Sequence, residues 1–229
     1  MRAGAPIKDP PYRLLNAIPL PEAPVTIALP PAPEFGAPLD LARAPQVLAF
    51  LARRRSASAV TLTSPGPSPE DLDALLRLAA RAPDHGKLSP WRFIILEGAD
   101  KDSFAGRLEA LALSRKDAAA AAKLVKLKAP PLAVAVISAP KPGAIPEWEQ
   151  RLSAGAVCTT LLYAALAAGF GANWITDWYA YDHDANTLLG LSGDEKVAGF
   201  LLIGTAREPP LERERPDLPA LVSRWRDGR

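Results

Sequence analysis

Residues Arg81 to Phe93 read R-A-P-D-H-G-K-L-S-P-W-R-F, and the rest of the chain is organised around this stretch. It carries four basic side chains if His85 is counted, together with two prolines and one glycine. A proline fixes its φ angle and removes a backbone donor, so Pro83 and Pro90 stiffen the loop. A stiff cationic loop is a suitable place to present chemistry. We therefore expect it to form one wall of a site for an anionic cofactor.

The residues on either side of this loop predict a helix before it and a strand after it. Ser68 is a suitable N-cap, Pro69 suits the first helical position, and acidic residues follow in the first turn. Pro83 ends the helical pattern. The apolar run Trp91–Leu96 then predicts a buried strand. The loop is thus expected to join a helix to the core of a sheet.

The remaining elements alternate in the same way. Apolar runs predict two more strands, Leu132–Ile137 and Val197–Gly204. Periodic apolar positions predict the helices Pro45–Arg55 and Asp184–Leu191, and Asp100–Lys128 is expected to be mostly helical. The longest predicted helix, Glu147–Ala168, is apolar nearly all round, so we expect it at the centre of the fold. Strands separated by helices, without a repeat or a second core, indicate one α+β domain over residues 45–229.

The composition limits the classes of protein that the chain can belong to. Its 229 residues carry a net charge of +2, which is too small to indicate nucleic-acid binding. A single cysteine excludes an intrachain disulfide, and with only two histidines it argues against a metal site. Cys158 lies among apolar residues and is expected to be buried. No run of about 18 apolar residues predicts a membrane span, so we expect no membrane partner and a cytoplasmic location.

Residues 1–44 differ from the rest, since they hold ten of the 25 prolines. Such a segment cannot hold a helix and favours extended, polyproline-like backbone. It is nevertheless too apolar for a solvated linker. Two interpretations follow: an extended N-terminal arm lying on its own chain or on a partner subunit, and free disorder. The apolar content favours the arm.

The first predicted helix ends in Arg53-Arg54-Arg55-Ser56, a pattern with two interpretations. Arginines in a last turn complement the helix dipole and are usually solvated. Guanidinium groups also match the geometry of phosphate, which would make the turn an anion site. Taken alone, the pattern favours the solvated helix end. His85 presents a similar choice between a structural hydrogen-bonded residue and a ligand contact.

Five motifs in order carry a resemblance: Arg-Arg-Ser after a helix, the R-A-P-D-H-G loop ending in P-W-R-F, S-A-G-A in the longest helix, G-F-G-A-x-W after it, and G-F-L-x-I-G-T in the last strand. This order resembles the FMN-dependent nitroreductase family, most closely its short bacterial NAD(P)H nitroreductases with the R-A-P-D-H loop. The resemblance covers about residues 45–215. It implies a nitroreductase-like mixed sheet flanked by helices, in a homodimer with FMN at the subunit interface. It also implies ping-pong hydride transfer from NADH or NADPH to nitroaromatic, quinone or similar small-molecule acceptors.

The resemblance also implies site residues by position. FMN contacts from one subunit would come from Arg54, Arg55 and Ser56, with the arginines at the phosphate, and from Trp174, Ile175 and Thr176 beyond the longest helix. From the other subunit, Arg81 and His85 would reach the flavin. The segment that resembles the family's nicotinamide-nucleotide contact is Ala164, Ala165, Leu166, Ala167, Ala168 and Gly169. No catalytic side chain is implied, because a flavin carries the redox chemistry itself.

Two departures from the family pattern remove positive charge. Relatives often carry arginine where Ile175 stands and a basic residue where Ser58 stands. In one interpretation Arg213 and Arg215 replace that charge, with the C-terminal segment closing the phosphate site. In the other they are solvated arginines between glutamates. The missing charges keep two alternatives open: a dimeric flavin-binding protein without turnover, and a family relative with a different flavin-dependent reaction.

Overall fold

The computed structural model describes residues 26–39, 41–115 and 117–227, so the first 25 residues of the predicted arm lie outside the described residues. The helices in this part of the chain are α1 Pro45–Arg53, α2 Pro69–Ala79, α3 Gly98–Ser114, α4 Ala118–Lys123, α5 Val125–Lys128, α6 Glu147–Ala167, α7 His183–Leu188 and α8 Leu218–Leu221. The strands are β1 Leu62–Thr63, β2 Trp91–Glu97, β3 Leu132–Ser138, β4 Gly171–Ile175 and β5 Lys196–Ala206. This mixture of helices and sheet confirms the α+β class.

The strands form one sheet in the order β1-β5-β3-β2, and β4 pairs with the middle of β5. Every strand pair within the described residues is antiparallel, whereas the resemblance implied a mixed sheet. β3 and β4 do run in the same direction, because α6 carries the chain back between them as a crossover. β5 lies between these two strands and is antiparallel to both. β3 and β4 are therefore parallel to each other but share no backbone hydrogen bonds.

β3 is buried on both faces and divides the core into two layers. Ala133, Ala135 and Ile137 face the cluster built with α3 and α5. Val134 and Val136 face the cluster built with α2 and α6. Alternate residues of a strand point to opposite faces, so one short strand contributes to both clusters. Burial on both sides explains why its sequence is apolar throughout rather than alternating.

α6 is the central helix, with 21 residues and a length of about 31 Å. It ends in a Schellman motif: the Gly169 N–H donates to the Leu166 carbonyl at 3.1 Å and the Phe170 N–H donates to the Ala165 carbonyl at 3.0 Å. Gly169 has a φ of +89°, which that motif requires. Cys158 is fully buried as expected, and burial raises the pKa of its thiol to about 12. This thiol is therefore a packing group.

One strip of α6 faces away from the sheet, and we call Trp148, Leu152, Gly155, Thr159 and Tyr163 the outer strip. Trp148 and Leu152 are 68% and 54% exposed. The Thr159 hydroxyl donates to the Gly155 carbonyl at 3.1 Å, so it needs no partner outside the helix. Gly155, Thr159 and Tyr163 are half-buried, so the exposed apolar part of the strip is its N-terminal end. Exposed large apolar side chains on a central helix are typical of a surface that binds another protein.

The start of α2 confirms the predicted cap and ties down the described part of the arm. Ser68 and Asp71 form a capping box, with the Asp71 N–H donating to the Ser68 hydroxyl at 3.1 Å. Oδ1 of the Asp71 carboxylate also accepts the Ile27 N–H, at 2.7 Å. Residues 26–39 and 41–44 contain one turn and no helix or strand, and Phe35 among them is 98% exposed. Whether the whole segment acts as an arm stays a prediction.

Two strands were not predicted. β4 has five residues and follows α6 closely, and β1 has only two residues, too few for a visible alternation. Both pair with β5, so long-range pairing rather than local pattern defines them. No helix in the described ranges has the length and apolarity needed to cross a membrane.

Candidate functional site

The turn after α1 holds Arg54 in a half-buried position. Its N–H caps α1 by donating to the Phe50 carbonyl at 2.8 Å. Its guanidinium carbon lies 5.3 Å from the ring centroid of Tyr163 on α6, and Nη2 donates to the Ser56 hydroxyl at 3.4 Å. The Nε atom is buried and has no hydrogen-bond partner among the described residues. A buried donor on a charged group is costly when unpaired, so this position calls for an acceptor.

A cleft of about 660 Å³ lies beside this turn. Its lining comprises Arg55, Ser56, Ala57, Ser58, Thr61, Asn173, Glu208, Pro209, Pro210, Leu211 and Arg213. β4 holds the turn in place, because the Ala57 N–H donates to the Ala172 carbonyl at 3.0 Å and the Asn173 amide donates to the Ala57 carbonyl. Hydroxyl and guanidinium donors therefore line a cleft whose wall is fixed by backbone bonds.

The C-terminal segment forms the far wall of this cleft. The Arg55 Nε donates to the Leu211 carbonyl at 2.9 Å. The Glu212 carboxylate lies 2.8 Å from Arg215 Nη2 and 3.9 Å from Arg55 Nε. The N–H of Arg213, then the charges of Arg215 and Arg55, hold the pKa of Glu212 below its usual value. Arg213 thus lines the cleft, whereas Arg215 is paired with Glu212 and is not part of the lining.

The three residues predicted to line the cofactor beyond α6 do not share one surface. Trp174 lies opposite Leu201, which packs on the side of α2 and α6. Its indole covers Gly199, where an added Cβ would fall 1.9 Å from Trp174 Nε1. Ile175 points to the other face and packs against the cluster shared with α3 and α5. Thr176 follows the strand end and is half-buried. Of the two strand residues, only Trp174 faces the side of α6.

The predicted nicotinamide segment forms the last turn of α6 and its cap. Ala165 is buried, Ala164, Leu166 and Ala168 are half-buried, and Ala167 and Gly169 are exposed. The carbonyls of Ala164, Ala165 and Leu166 accept capping bonds from the residues that follow. The segment directly follows Tyr163, so it lies at the same end of α6 as Arg54. It offers an apolar surface rather than free backbone acceptors.

The loop between α2 and β2 is shaped by Asp84. Its carboxylate accepts the Leu88 N–H at 3.2 Å and the Ser89 N–H at 2.7 Å. The tight course of the chain places Gly86 at a φ of +76° and also gives positive φ values to Lys87 and Ser89. Non-glycine residues rarely adopt this region, so the surrounding bonds hold the loop in a strained form.

The N-terminal half of α6 anchors the same loop. The Ser153 hydroxyl donates to the Pro83 carbonyl at 2.7 Å and accepts from Trp91 Nε1 at 3.2 Å. One turn earlier, Glu149 Oε2 lies 2.6 Å from Nδ1 of His85. These contacts fix both ends of the loop to α6 and expose the imidazole of His85 on its surface.

The structure separates the predicted site residues into two groups at opposite ends of α6. His85 contacts Glu149, and Arg54 contacts Tyr163, which lies fourteen residues further along the helix, about 21 Å at 1.5 Å per residue. Arg81 belongs to the first group and is exposed. The group at Arg54 includes Arg55, Ser56 and the nicotinamide segment. One chain alone does not bring the two groups together.

Three further residues of this region were missed by the sequence interpretation: Tyr163, Asn173 and Glu149. Tyr163 was not singled out, although it is the one aromatic residue in the second half of α6. Asn173 and Glu149 had no local signal, since each acts on a residue distant in sequence. A polar or aromatic group within an apolar helix was the available clue for Tyr163.

The donor set of the cleft fits a phosphate-bearing ligand. Arg54 has an unpaired buried Nε, and Arg55, Ser56, Ser58 and Arg213 add positive charge and hydroxyl donors. Charge-assisted bonds of this kind suit phosphate oxygens. In the described part of the chain, no cluster of three or more His, Cys, Asp or Glu side chains is placed to hold a metal ion.

Comparison with known proteins identifies the family. Residues 51–205 match the sequence model of the Nitroreductase family. "Putative NAD(P)H nitroreductase YdjA" of Escherichia coli (strain K12) is 35% identical over 161 residues, which cover 69% of this chain and 87% of YdjA. The nitroreductase-like family protein from Bacillus cereus superposes with a TM-score of 0.67 at 18% identity, covering 82% of this chain and 99% of that chain. The nitroreductase with bound FMN from Bacteroides fragilis NCTC 9343 gives 0.61 at 20% identity, covering 79% and 99%. The two structural likenesses show the fold.

Proposed function

This chain belongs to the nitroreductase family, and we propose that it is an FMN-dependent NAD(P)H oxidoreductase. The membership supports the reaction class, and the FMN bound to the Bacteroides fragilis protein supports the flavin. The observation that carries the proposal for this chain is the buried Arg54 Nε without a partner in the described residues, beside a donor-lined cleft. The expected acceptors are nitroaromatic compounds, quinones or similar small molecules.

The phosphate of FMN would bind between Arg54 and the cleft. The guanidinium groups of Arg54 and Arg55 donate charge-assisted bonds, and the Ser56 hydroxyl already lies next to Arg54. Ser58 contributes only a hydroxyl, so Arg213 on the facing wall supplies the positive charge that a basic residue gives in relatives. Arg215 takes no direct part in this arrangement.

When bound, FMN would supply the hydride transfer between NAD(P)H and the acceptor. The chain binds and orients the reactants. Trp174 over Gly199 forms a flat wall on the side of α6. The apolar surface of residues 164–169 lies at the same end of α6 and suits a stacked nicotinamide. The proposed hydride transfer requires no side-chain acid or nucleophile, because the flavin would carry the redox chemistry.

A homodimer brings the two separated groups into one site. A two-fold axis through the outer strip runs the two α6 helices antiparallel, since an isologous interface uses the same surface on both subunits. The N-terminal end of one α6 then lies beside the C-terminal end of the other. Arg81 and His85 of the partner subunit thereby reach the flavin held at Arg54. The exposed Trp148 and Leu152 support this placement of the interface.

The absorbance spectrum of the purified protein tests the proposal. We expect a yellow protein whose flavin absorbance bleaches on anaerobic mixing with NADPH or NADH and returns when a nitroaromatic acceptor is added. A colourless protein that takes up no added FMN contradicts the proposal. Bound FMN that neither donor bleaches indicates the alternative, a flavin-binding protein without turnover.

A further inference from the structure

We propose that Glu149 is a positioning residue that fixes the imidazole of His85 for contact with the flavin across the dimer interface, an inference that rests on the proposed function. Glu149 Oε2 lies 2.6 Å from His85 Nδ1. A carboxylate only accepts, so Nδ1 carries the proton of this bond. The side chain of His85 remains 64% exposed, and its Nε2 has no hydrogen bond within the described ranges. The bond therefore leaves Nε2 as the outward-facing nitrogen.

Both partners of this bond are held by rigid supports. Glu149 lies in the first turn of α6, where its N–H donates to the Pro146 carbonyl at 3.1 Å. The backbone on either side of His85 is fixed by the Asp84 carboxylate and by the Ser153 bond to Pro83. The remaining freedom is rotation of the imidazole about its own side-chain bonds. Glu149 removes that freedom.

The consequence for binding is the same in either protonation state of the ring. A neutral ring with its proton on Nδ1 presents Nε2 as an acceptor, and a protonated ring presents it as a donor. Both states present the same atom to the partner subunit. Orientation by a second residue is a common way to fix a histidine that binds a ligand. Glu149 would thus act on the flavin only through His85.

Glu147 offers a matched control, because it lies in the same turn of α6 and has the same charge. It pairs with Arg151 instead of His85. Removing either carboxylate changes the helix dipole interaction equally. A difference between Glu147→Ala and Glu149→Ala therefore reports on the His85 contact and not on helix stability.

The test combines FMN titration with NMR of the histidine rings in the full-length dimer. The chain has only two histidines, so His183→Gln leaves the signals of His85 alone. We expect Glu149→Ala to abolish the preference for a proton on Nδ1 and to weaken FMN binding roughly fivefold. His85→Ala should weaken binding by a similar factor, and the double variant should lose no more than either single variant. Glu147→Ala should change neither readout.

Several outcomes overturn the inference. An unchanged His85 ring in Glu149→Ala, or a loss of FMN affinity that persists in full when His85 is already absent, shows that Glu149 does not act through His85. If His85→Ala binds FMN as tightly as the wild type while Arg54→Ala does not, the inference fails and the proposed function stands. A wild-type protein that binds no FMN contradicts both the inference and the proposed function.

Discussion

The two ends of α6 present positive charge in opposite ways. At the C-terminal end, Arg54 is half-buried against Tyr163, with one buried donor that has no partner in the described residues. At the N-terminal end, Arg81 is exposed, Lys87 lies 5.6 Å from the ring centroid of Phe35, and His85 is held by one bond to α6. The first group is enclosed by its own chain, and the second faces outwards.

The two ends of α6 therefore differ in whether they can bind an anion without a second surface. A partly buried charge is screened less by water and salt, so the Arg54 group can hold an anion by itself. Exposed cations bind weakly until another surface covers them. In the proposed dimer, the partner subunit covers the loop at His85, and the proposed site would be complete only there.

Gly155→Leu should have the largest effect, because it should separate the subunits of the proposed dimer. No atom lies within 4 Å of a Cβ added at Gly155, so the substitution fits within one chain and removes a helix-interior glycine that costs about 1 kcal/mol. Between two closely packed helices, the leucine clashes. We expect monomers with native helix content and almost no turnover, measured by sedimentation velocity, circular dichroism and NADPH oxidation.

Gly106→Leu in α3 is the matched control for this substitution. Gly106 is exposed and also has no atom within 4 Å of an added Cβ, but it lies outside the outer strip. We expect a dimer with normal activity. A Gly155→Leu protein that remains dimeric and fully active would place the interface elsewhere than on α6.

The sharing of one site between chains is tested by mixing two defective variants. Arg54→Ala and Arg81→Ala each damage both sites of a homodimer, at opposite ends of α6. In a mixed dimer, one site receives both substitutions and the other receives none. Random exchange should therefore restore about a quarter of the wild-type activity. Recovery that does not rise above the two parent variants shows that each site is built within one chain.

Arg54→Ala tests the proposed phosphate contact separately from the dimer. Charge-assisted bonds to phosphate contribute about 1.5–3 kcal/mol, so FMN affinity should fall roughly 10- to 150-fold. Arg53→Ala is the control, because Arg53 is exposed in the last turn of α1 and contacts none of these groups. Isothermal titration measures both. Equal affinities for the two variants would remove Arg54 from the site.

The smallest expected effect is that of Glu212→Gln. Its ionised carboxylate lies near Arg55 and Arg215, and its lowered pKa keeps it charged at neutral pH, so it competes with phosphate for cations. We expect FMN affinity to rise roughly two- to fivefold, as for a weak exposed ion pair. Glu214→Gln, two residues away, should have no effect. A fall in affinity would show that Glu212 orders the C-terminal wall instead.

Sequence reasoning succeeded where the causes are local. The cap at Ser68 and the burial of β3 followed from neighbouring residues and were confirmed. β4 was missed because pairing with β5, not its own pattern, makes it a strand. For the site, the pattern at Arg54 allowed a solvated helix end and an anion site, and taken alone it favoured the solvated end. The contact with Tyr163 and the unpartnered Nε of Arg54 favour the anion site instead, and neither has a local signal in the sequence.

The sequence by itself determined the main helices, three of the five strands, the α+β class and the family. Capping, apolar periodicity and motif order are encoded by residues close together in the chain. Only the tertiary structure decided that Arg54 is half-buried against Tyr163 and that Ile175 faces away from Trp174. It also decided that the contact of His85 with α6 lies about 21 Å along the helix from that of Arg54. These facts depend on which distant segments pack together. Strand pairing and the length of α6 determine these arrangements, and they cannot be predicted from neighbouring residues in the sequence.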